Sequence, residues 1–237
     1  MAPSRGEQKT LGNRLLAAIS DDDWNALRPH ATRVTLELSE TLVKPREPIA
    51  NVYFPISCLA SLVTMLEDGS SVEAGTVGRE GMVGIPVVLE AESTPMQTLV
   101  QIPGDAIRIT AKGVKQVFNS ARKLQTMLNR YIHTLFIVAS QSAACNRKHQ
   151  LEARFARWLL MSSDGIGSDE LAITHEFLAT MLGVRRSGVT EAAARLQDRG
   201  VIQYKRGGVR IVNRRELETA ACECYQNVKT EFERLFA

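Results

Sequence analysis

Hydrophobic and polar positions divide the chain into stretches of different period. Residues 11 to 28 read as two short helices, the second opened by Ser20 with Asp23 three positions on, a spacing that lets a hydroxyl cap the first turn. Between residues 34 and 110 the pattern shortens to alternating or briefly apolar runs at 34–38, 51–54, 58–66, 71–77, 98–102 and 106–109. Pro45, Pro48, Pro55, Asp68-Gly69, Gly78, Gly81, Gly84, Pro86 and Pro103-Gly104 punctuate them. Many short strands at this spacing predict a β-sandwich or a jelly-roll barrel.

Beyond residue 112 the period becomes helical. Val117, Ala121, Leu124, Leu128, Tyr131, Leu135, Val138, Ser142 and Cys145 follow one another in alternating steps of four and three, an unbroken heptad stripe. Phe118, Met127, Ile132 and Phe136 widen the apolar face. A helix of about 30 residues is roughly 45 Å long, more than a small barrel covers. One stripe is therefore expected to pack on the barrel and the other on a second copy of the chain. Leu124, Leu128, Tyr131, Leu135, Val138 and Ser142 are the expected dimer contacts; the alternative is a helix buried within one subunit.

Residues 146–150 are polar, 151–162 are amphipathic again with Phe155, Trp158, Leu159 and Met161 apolar, and 163–168 read as a glycine-containing loop. The segment after Asn213 reads as one more helix, with Asn213 as N-cap and Glu216 as its reciprocal partner. The expected fold is α+β: an N-terminal jelly-roll barrel over residues 11–112, a long dimerisation helix over 113–146, and a C-terminal winged helix-turn-helix domain over 147–237.

At 237 residues, 44% hydrophobic and 23% charged, the chain is expected to fold as two domains, except at its extreme N-terminus. Its four cysteines, Cys58, Cys145, Cys222 and Cys224, are irregularly spaced, which suits a reducing cytoplasm better than a disulfide framework. The polar, basic opening is not a secretion signal, and no run approaches the ~18 apolar residues of a membrane span. Net charge is only +3, but residues 185–215 hold nine basic against two acidic side chains, a local +7, and the rest of the chain is net negative.

That basic window coincides with the pattern that carries chemistry. Thr174 is a fitting N-cap for a helix bearing Phe177, Leu178, Met181 and Leu182 on one face. Gly183 ends it, and a second helix follows with Val189, Ala192, Ala193 and Leu196 apolar and Arg185, Arg186, Ser187, Thr190, Glu191 and Arg195 polar. Helix, glycine-bearing turn and helix at this length predict a DNA-reading helix-turn-helix, with Thr174, Arg185, Arg186, Ser187, Thr190, Glu191 and Arg195 as DNA-binding candidates. Residues 201–205 and 209–212, joined at Arg206-Gly207-Gly208, read as a hairpin whose Lys205 and Arg206 suit phosphates. Arg186 supplies a fork donor for guanine and Glu191 an acceptor for cytosine amino groups. Each has a plainer reading: Arg186 as a solvated surface charge, Glu191 as an i,i+4 partner of Arg195. Arg199, Arg210, Arg214 and Arg215 read as general electrostatic support.

The order barrel, long helix, winged helix-turn-helix, together with the run ITHEFLATMLGVRRSGVTEAAARLQDRGVI at 173–202, resembles the Crp/Fnr family of bacterial transcription regulators. The resemblance implies a homodimer on a near-palindromic operator, with base readout falling on Arg186, Ser187, Thr190 and Glu191 and half-sites roughly 34 Å apart. RNA polymerase is a further partner that activation would require. Cyclic-nucleotide-binding members carry a ribose-binding glutamate and a phosphate-binding arginine near a cassette matching residues 78–84. Here Met82 stands at the glutamate position and residues 93–97 offer no arginine, so cyclic AMP binding is not expected and the effector is left open.

Cofactors are not expected. No iron–sulfur centre of N-terminal cysteines is expected because none precedes Cys58; a haem would need its axial ligand from His30, His133, His149 or His175, of which His133, on the long helix, reads as an ordinary surface or packing residue; and Cys222-x-Cys224 lacks the further ligands of a zinc site. An enzyme is not expected either: residues 34–110 hold no histidine for a cupin-type metal site, and no P-loop, nucleophile elbow or H-E-x-x-H run occurs. The competing function is a ligand- or partner-binding module without sequence-specific DNA binding.

Overall fold

The alternation of apolar and polar side chains along short strands turns the N-terminal part into two antiparallel sheets with a common core. The computed structural model describes residues 11–69, 71–205 and 207–237. β1 (Ala31–Leu36), β3 (Asn51–Pro55) and β7 (Gly104–Thr110) form one sheet in the order β1-β7-β3; β2 (Thr41–Val43), β4 (Leu59–Met65), β5 (Ser71–Val77) and β6 (Gln97–Ile102) form the other in the order β2-β6-β4-β5. Leu36, Val52, Phe54, Ile107 and Ile109 from the first meet Val43, Ala60, Val77 and Val100 from the second in one buried cluster. Six strands match expected runs. β2 went unread because three residues are too few to display alternation.

Two capped helices close one end. α1 (Arg14–Ala18) is capped by Asn13, whose Oδ1 accepts from Leu16 N while its amide donates to the carbonyls of Pro55 and Gly81, each at 2.9 Å. α2 (Asp21–Leu27) is capped by Ser20 through Asp23 N at 3.1 Å, as the spacing implied.

The expected long helix is two helices, α3 (Ala111–Phe118) and α4 (Arg122–Lys148), parted at residues 119–121. α4 has 27 residues, about 40 Å of helix. Its heptad stripe goes to the chain's own core: Leu124, Leu128, Tyr131 and Val138 are each at most 3% exposed. This corrects their assignment as dimer contacts. A buried side chain of this size stabilises its docking by roughly 1.5–3 kcal/mol, so the stripe stays on the barrel rather than turning to a partner. Leu135 and Ser142 are partly buried, and the Ser142 hydroxyl accepts from Arg157 Nη2 at 3.1 Å. The opposite face exposes a second row at the same spacing, Asn129, His133, Phe136, Ser140, Ala143 and Arg147, with Phe136 71% exposed.

α5 (Leu151–Ile166) runs through the expected loop and stops only at Gly167. The extra turn lets Gly165 meet Gly78: a Cβ on Gly78 would lie 2.4 Å from the Gly165 Cα, and Arg79 N donates to Gly165 O at 2.8 Å. The chain's last segment is likewise two helices, α8 (Arg214–Ala220) and α9 (Cys224–Phe236), capped at Asn213 as expected and broken at 221–223. α9 returns along α4, and Leu235 enters the barrel core. The break corrects one further expectation, because it carries Cys222 and Cys224 to Cys145 and His149 at the end of α4.

Glu73 on β5 joins the barrel to α5. Its carboxyl contacts Ser61 Oγ at 2.7 Å and accepts from Trp158 Nε1 at 3.1 Å. Burial raises its pKa to about 7, against the opposing influence of those two hydrogen bonds and of Arg157. Between the usual 4.5 and about 7 the folded chain keeps a proton that the unfolded chain has released. This contribution to stability is complete below 4.5 and is lost as pH rises through 7. Urea denaturation should therefore show Glu73→Gln gaining on the parent between pH 4.5 and 8, by up to about 3 kcal/mol; parallel pH profiles would show that Glu73 ionises freely.

Candidate nucleic-acid interface

The C-terminal domain is ordered by one apolar cluster. α6 (His175–Leu182) contributes Leu178, Ala179 and Leu182; α7 (Arg186–Asp198) contributes Val189, Ala192, Ala193 and Leu196. β8 (Glu170–Leu171), β9 (Ile202–Lys205) and β10 (Gly208–Ile211) form an antiparallel sheet in the order β8-β10-β9, whose Leu171, Ile202, Val209 and Ile211 join the same cluster. The β9–β10 hairpin is the expected wing.

Local chemistry fixes the turn. Thr174 caps α6, its hydroxyl accepting from Phe177 N at 3.3 Å. Gly183 adopts φ 63°, the left-handed conformation that ends α6 and redirects the chain into α7 within three residues. His175, not singled out from sequence, rivets the two helices. Its Nδ1 lies 3.1 Å from Thr190 Oγ1, which in turn donates to Arg186 O, and its ring meets Tyr204 of the wing edge-on with centroids 4.3 Å apart. Burial and then the Arg186 guanidinium lower its pKa, favouring neutral imidazole.

The basic side chains fall into two groups. Arg195 Nε and Arg199 Nη1 both reach Glu152 on α5, at 2.6 and 3.1 Å. Arg195 thus ties α7 to α5, and Glu191 is left exposed without the i,i+4 pairing. Arg214 pairs with Asp164, with Asp169 at 3.4 Å and with Glu218 at 3.5 Å, and Arg210 and Lys205 approach Glu170 at 3.7 and 3.9 Å. Arg185, Arg186, Ser187, Thr190 and Glu191 are exposed at the start of α7, and no ion pair among the described residues engages Arg185 or Arg186. No side chain caps the N-terminal end of α7, and these cations stand beside it, an arrangement that favours anions. Arg206 lies outside the described residues.

Residues 153–220 match the Crp-like helix-turn-helix domain. In overall structure the chain is similar to FixK2 from Bradyrhizobium japonicum, with a TM-score of 0.68 at 15% identity over 81% of this chain and 98% of that one. It is also similar to a putative transcriptional regulator of the Crp/Fnr family from Eubacterium rectale (TM-score 0.64, 18% identity, 85% and 94% covered). The c-di-GMP-responsive global regulator CLP of Xanthomonas campestris aligns likewise (TM-score 0.64, 16% identity, 81% and 99% covered). Residues 153–220 thus carry a Crp-like helix-turn-helix domain, and the chain shares the fold of these structures. None of the curated proteins matches it in sequence.

The parts of the segment at residues 78–84, where the sequence resemblance leads a ligand site to be expected, are engaged elsewhere. The Arg79 guanidinium lies against Gly167 at the C-terminal end of α5, and Glu80 Oε1 accepts from Gly78 N at 2.9 Å. Met82 is buried and lines a cavity of about 320 Å³ between the barrel and α4, together with Leu62, Ile85, Met96 and Leu135. Thr94 and Thr98 are its hydroxyl-bearing lining residues, and none of its described lining residues is charged. A buried cyclic phosphate would lose its water without gaining a cation. Titration calorimetry with cyclic AMP should detect no micromolar binding; micromolar affinity would overturn this reading of the cavity.

Proposed function

We propose that the chain is a sequence-specific transcription regulator that binds a near-palindromic operator as a homodimer and is modulated through a degenerate cyclic-nucleotide-binding-like barrel. The observation that carries this reading is the sorting of charges around α7. Arg195, Arg199, Arg210 and Arg214 are engaged by acidic partners, whereas Arg185 and Arg186 project from the start of the helix beside exposed Ser187 and Glu191. A structural helix-turn-helix would have no use for two unneutralised guanidinium groups there. Arg186 is assigned to base edges, Glu191 to an amino-group donor, and Arg185, Ser187 and Lys205 to phosphates. Thr190, its hydroxyl held by Arg186 O and His175, offers a methyl group, and Thr174 acts as a cap near the same surface.

Residues 11–112 form the sensor part of this reading, 113–146 the dimerisation part and 147–237 the reading head. The exposed row on α4, centred on Phe136, is the surface assigned to the second copy. An apolar effector suits the cavity behind Met82, and RNA polymerase is the partner through which bound protein would activate. Among the described residues no helix is long and apolar enough to cross a membrane. The proposed site of action is the cytoplasm, and the proposed role is regulatory, not enzymatic.

Selection of bound duplexes from a random pool by the purified chain should enrich one motif. Arg186→Ala should then cost about 1–3 kcal/mol on that motif and much less on random DNA, while Arg195→Ala should cost less on the motif than Arg186→Ala. Affinity should fall steeply with salt, as phosphate contacts require. Absence of DNA affinity, or equal losses from Arg186→Ala on both DNAs, would favour a ligand- or partner-binding module.

A further inference from the structure

Three cysteines and a histidine converge where the long helix, the reading head and the C-terminal helix meet. Cys145 lies in the last turn of α4 and His149 is its C-cap, one helical turn further on. Cys222 lies in the break between α8 and α9, and Cys224 is the first residue of α9. The three thiols are buried and free, and the four potential ligand atoms all lie within 4.8 Å of one another. Cys145 Sγ is 3.5 Å from Cys222 Sγ, and Cys224 Sγ is 3.5 Å from His149 Nδ1.

The two 3.5 Å contacts already match a tetrahedral metal, and the remaining ligand atoms need close by no more than about 1 Å. With metal–sulfur bonds of about 2.3 Å and metal–nitrogen bonds of about 2.0 Å, neighbouring ligand atoms stand roughly 3.5–3.8 Å apart. Ordinary thiol packing accounts for a buried pair, but it does not account for an imidazole nitrogen turned toward the sulfurs. The surroundings also fit. His149 Nε2 faces Glu223 Oε1 at 3.2 Å, so the ring is oriented with Nδ1 toward the thiols and Nε2 toward a carboxylate, the usual outer partner of a metal-bound histidine. Gln141 Nε2 donates to Cys224 Sγ at 3.0 Å, a bond that favours thiolate. A divalent ion with three thiolates carries one net negative charge, and Arg154 and Arg157 of α5 both act electrostatically on Cys145.

We propose that Cys145, His149, Cys222 and Cys224 bind one zinc ion that clips the end of α4 to the root of α9. The four ligands close the tetrahedron and leave no open position, so the site is structural rather than catalytic. Binding releases the protons of the three thiols and neutralises two units of their charge. α9 packs on α4 and buries Leu235 in the barrel core, while Ala153 of α5 packs against the cysteines. Zinc therefore joins α4 to the root of α9 at a point against which α5 packs, and its loss frees the root of α9.

The test is metal analysis of the full chain purified under reducing conditions. About one zinc per chain is expected, falling at least about tenfold in Cys222→Ser and in His149→Ala and unchanged in Cys58→Ser, whose thiol lies in the barrel. Cobalt(II) added to the metal-stripped parent chain should produce the visible absorption of a tetrahedral thiolate site, which keeps the test independent of whether the variants fold. Zinc added to the stripped chain should raise the unfolding temperature of the parent but not of Cys222→Ser. Failure of the parent to take up either zinc or cobalt would overturn the proposal. So would full zinc retention by Cys222→Ser, or a Cys145–Cys222 disulfide in a metal-free chain, which would make the cluster a redox pair.

Discussion

The burial of one face of α4 on the barrel is the constraint on which the other parts depend. Tyr131 is fully buried beside Gly81, where a Cβ would fall 2.2 Å from its hydroxyl, and Leu124, Leu128 and Val138 extend the same contact along the helix. With that stripe committed, the helix cannot rotate to offer it elsewhere. The outward row from Asn129 to Arg147 is what remains for a second copy, and the end of α4 is held at a defined place beside α5. The reading head then follows as a series of short-range contacts: Arg157 to Ser142, Trp158 to Glu73, and the Gly78–Gly165 approach.

This arrangement would give the proposed sensor a physical route to α7, the helix assigned to DNA. The Glu73 carboxyl on β5, the cassette at Gly78 and the cavity behind Met82 all belong to the barrel, and the first two touch α5 directly. α5 in turn carries Glu152, which holds Arg195 and Arg199 of α7. In the proposed regulator, a change in how the barrel seats α5 would carry α7 with it, because the cluster linking α5, α6, α7 and the wing is continuous.

Much of this was legible from the chain because local rules and tertiary packing agree. The strands from β3 to β7 declare themselves by period and turn residues, Ser20, Thr174 and Asn213 are caps where their spacing says so, and Gly183 turns the chain between α6 and α7. What escaped depends on contacts between distant residues. A heptad stripe looks the same whether it meets a barrel or a partner, so Leu124, Leu128, Tyr131 and Val138 were assigned to the wrong neighbour. Arg195 looks like a DNA ligand until Glu152, more than forty positions earlier, is brought beside it. The partners of Cys222 and Cys224 lie some 75 residues upstream, and only the break between α8 and α9 brings them together.

The account stands most directly on the outward face of α4 joining two copies. Light scattering on the full chain at micromolar concentration measures this without DNA or effector. The account predicts the mass of two chains for the parent and of one chain for Phe136→Asp, with circular dichroism unchanged between them. A parent chain that scatters as a single copy, or a Phe136→Asp variant that stays dimeric, would contradict it.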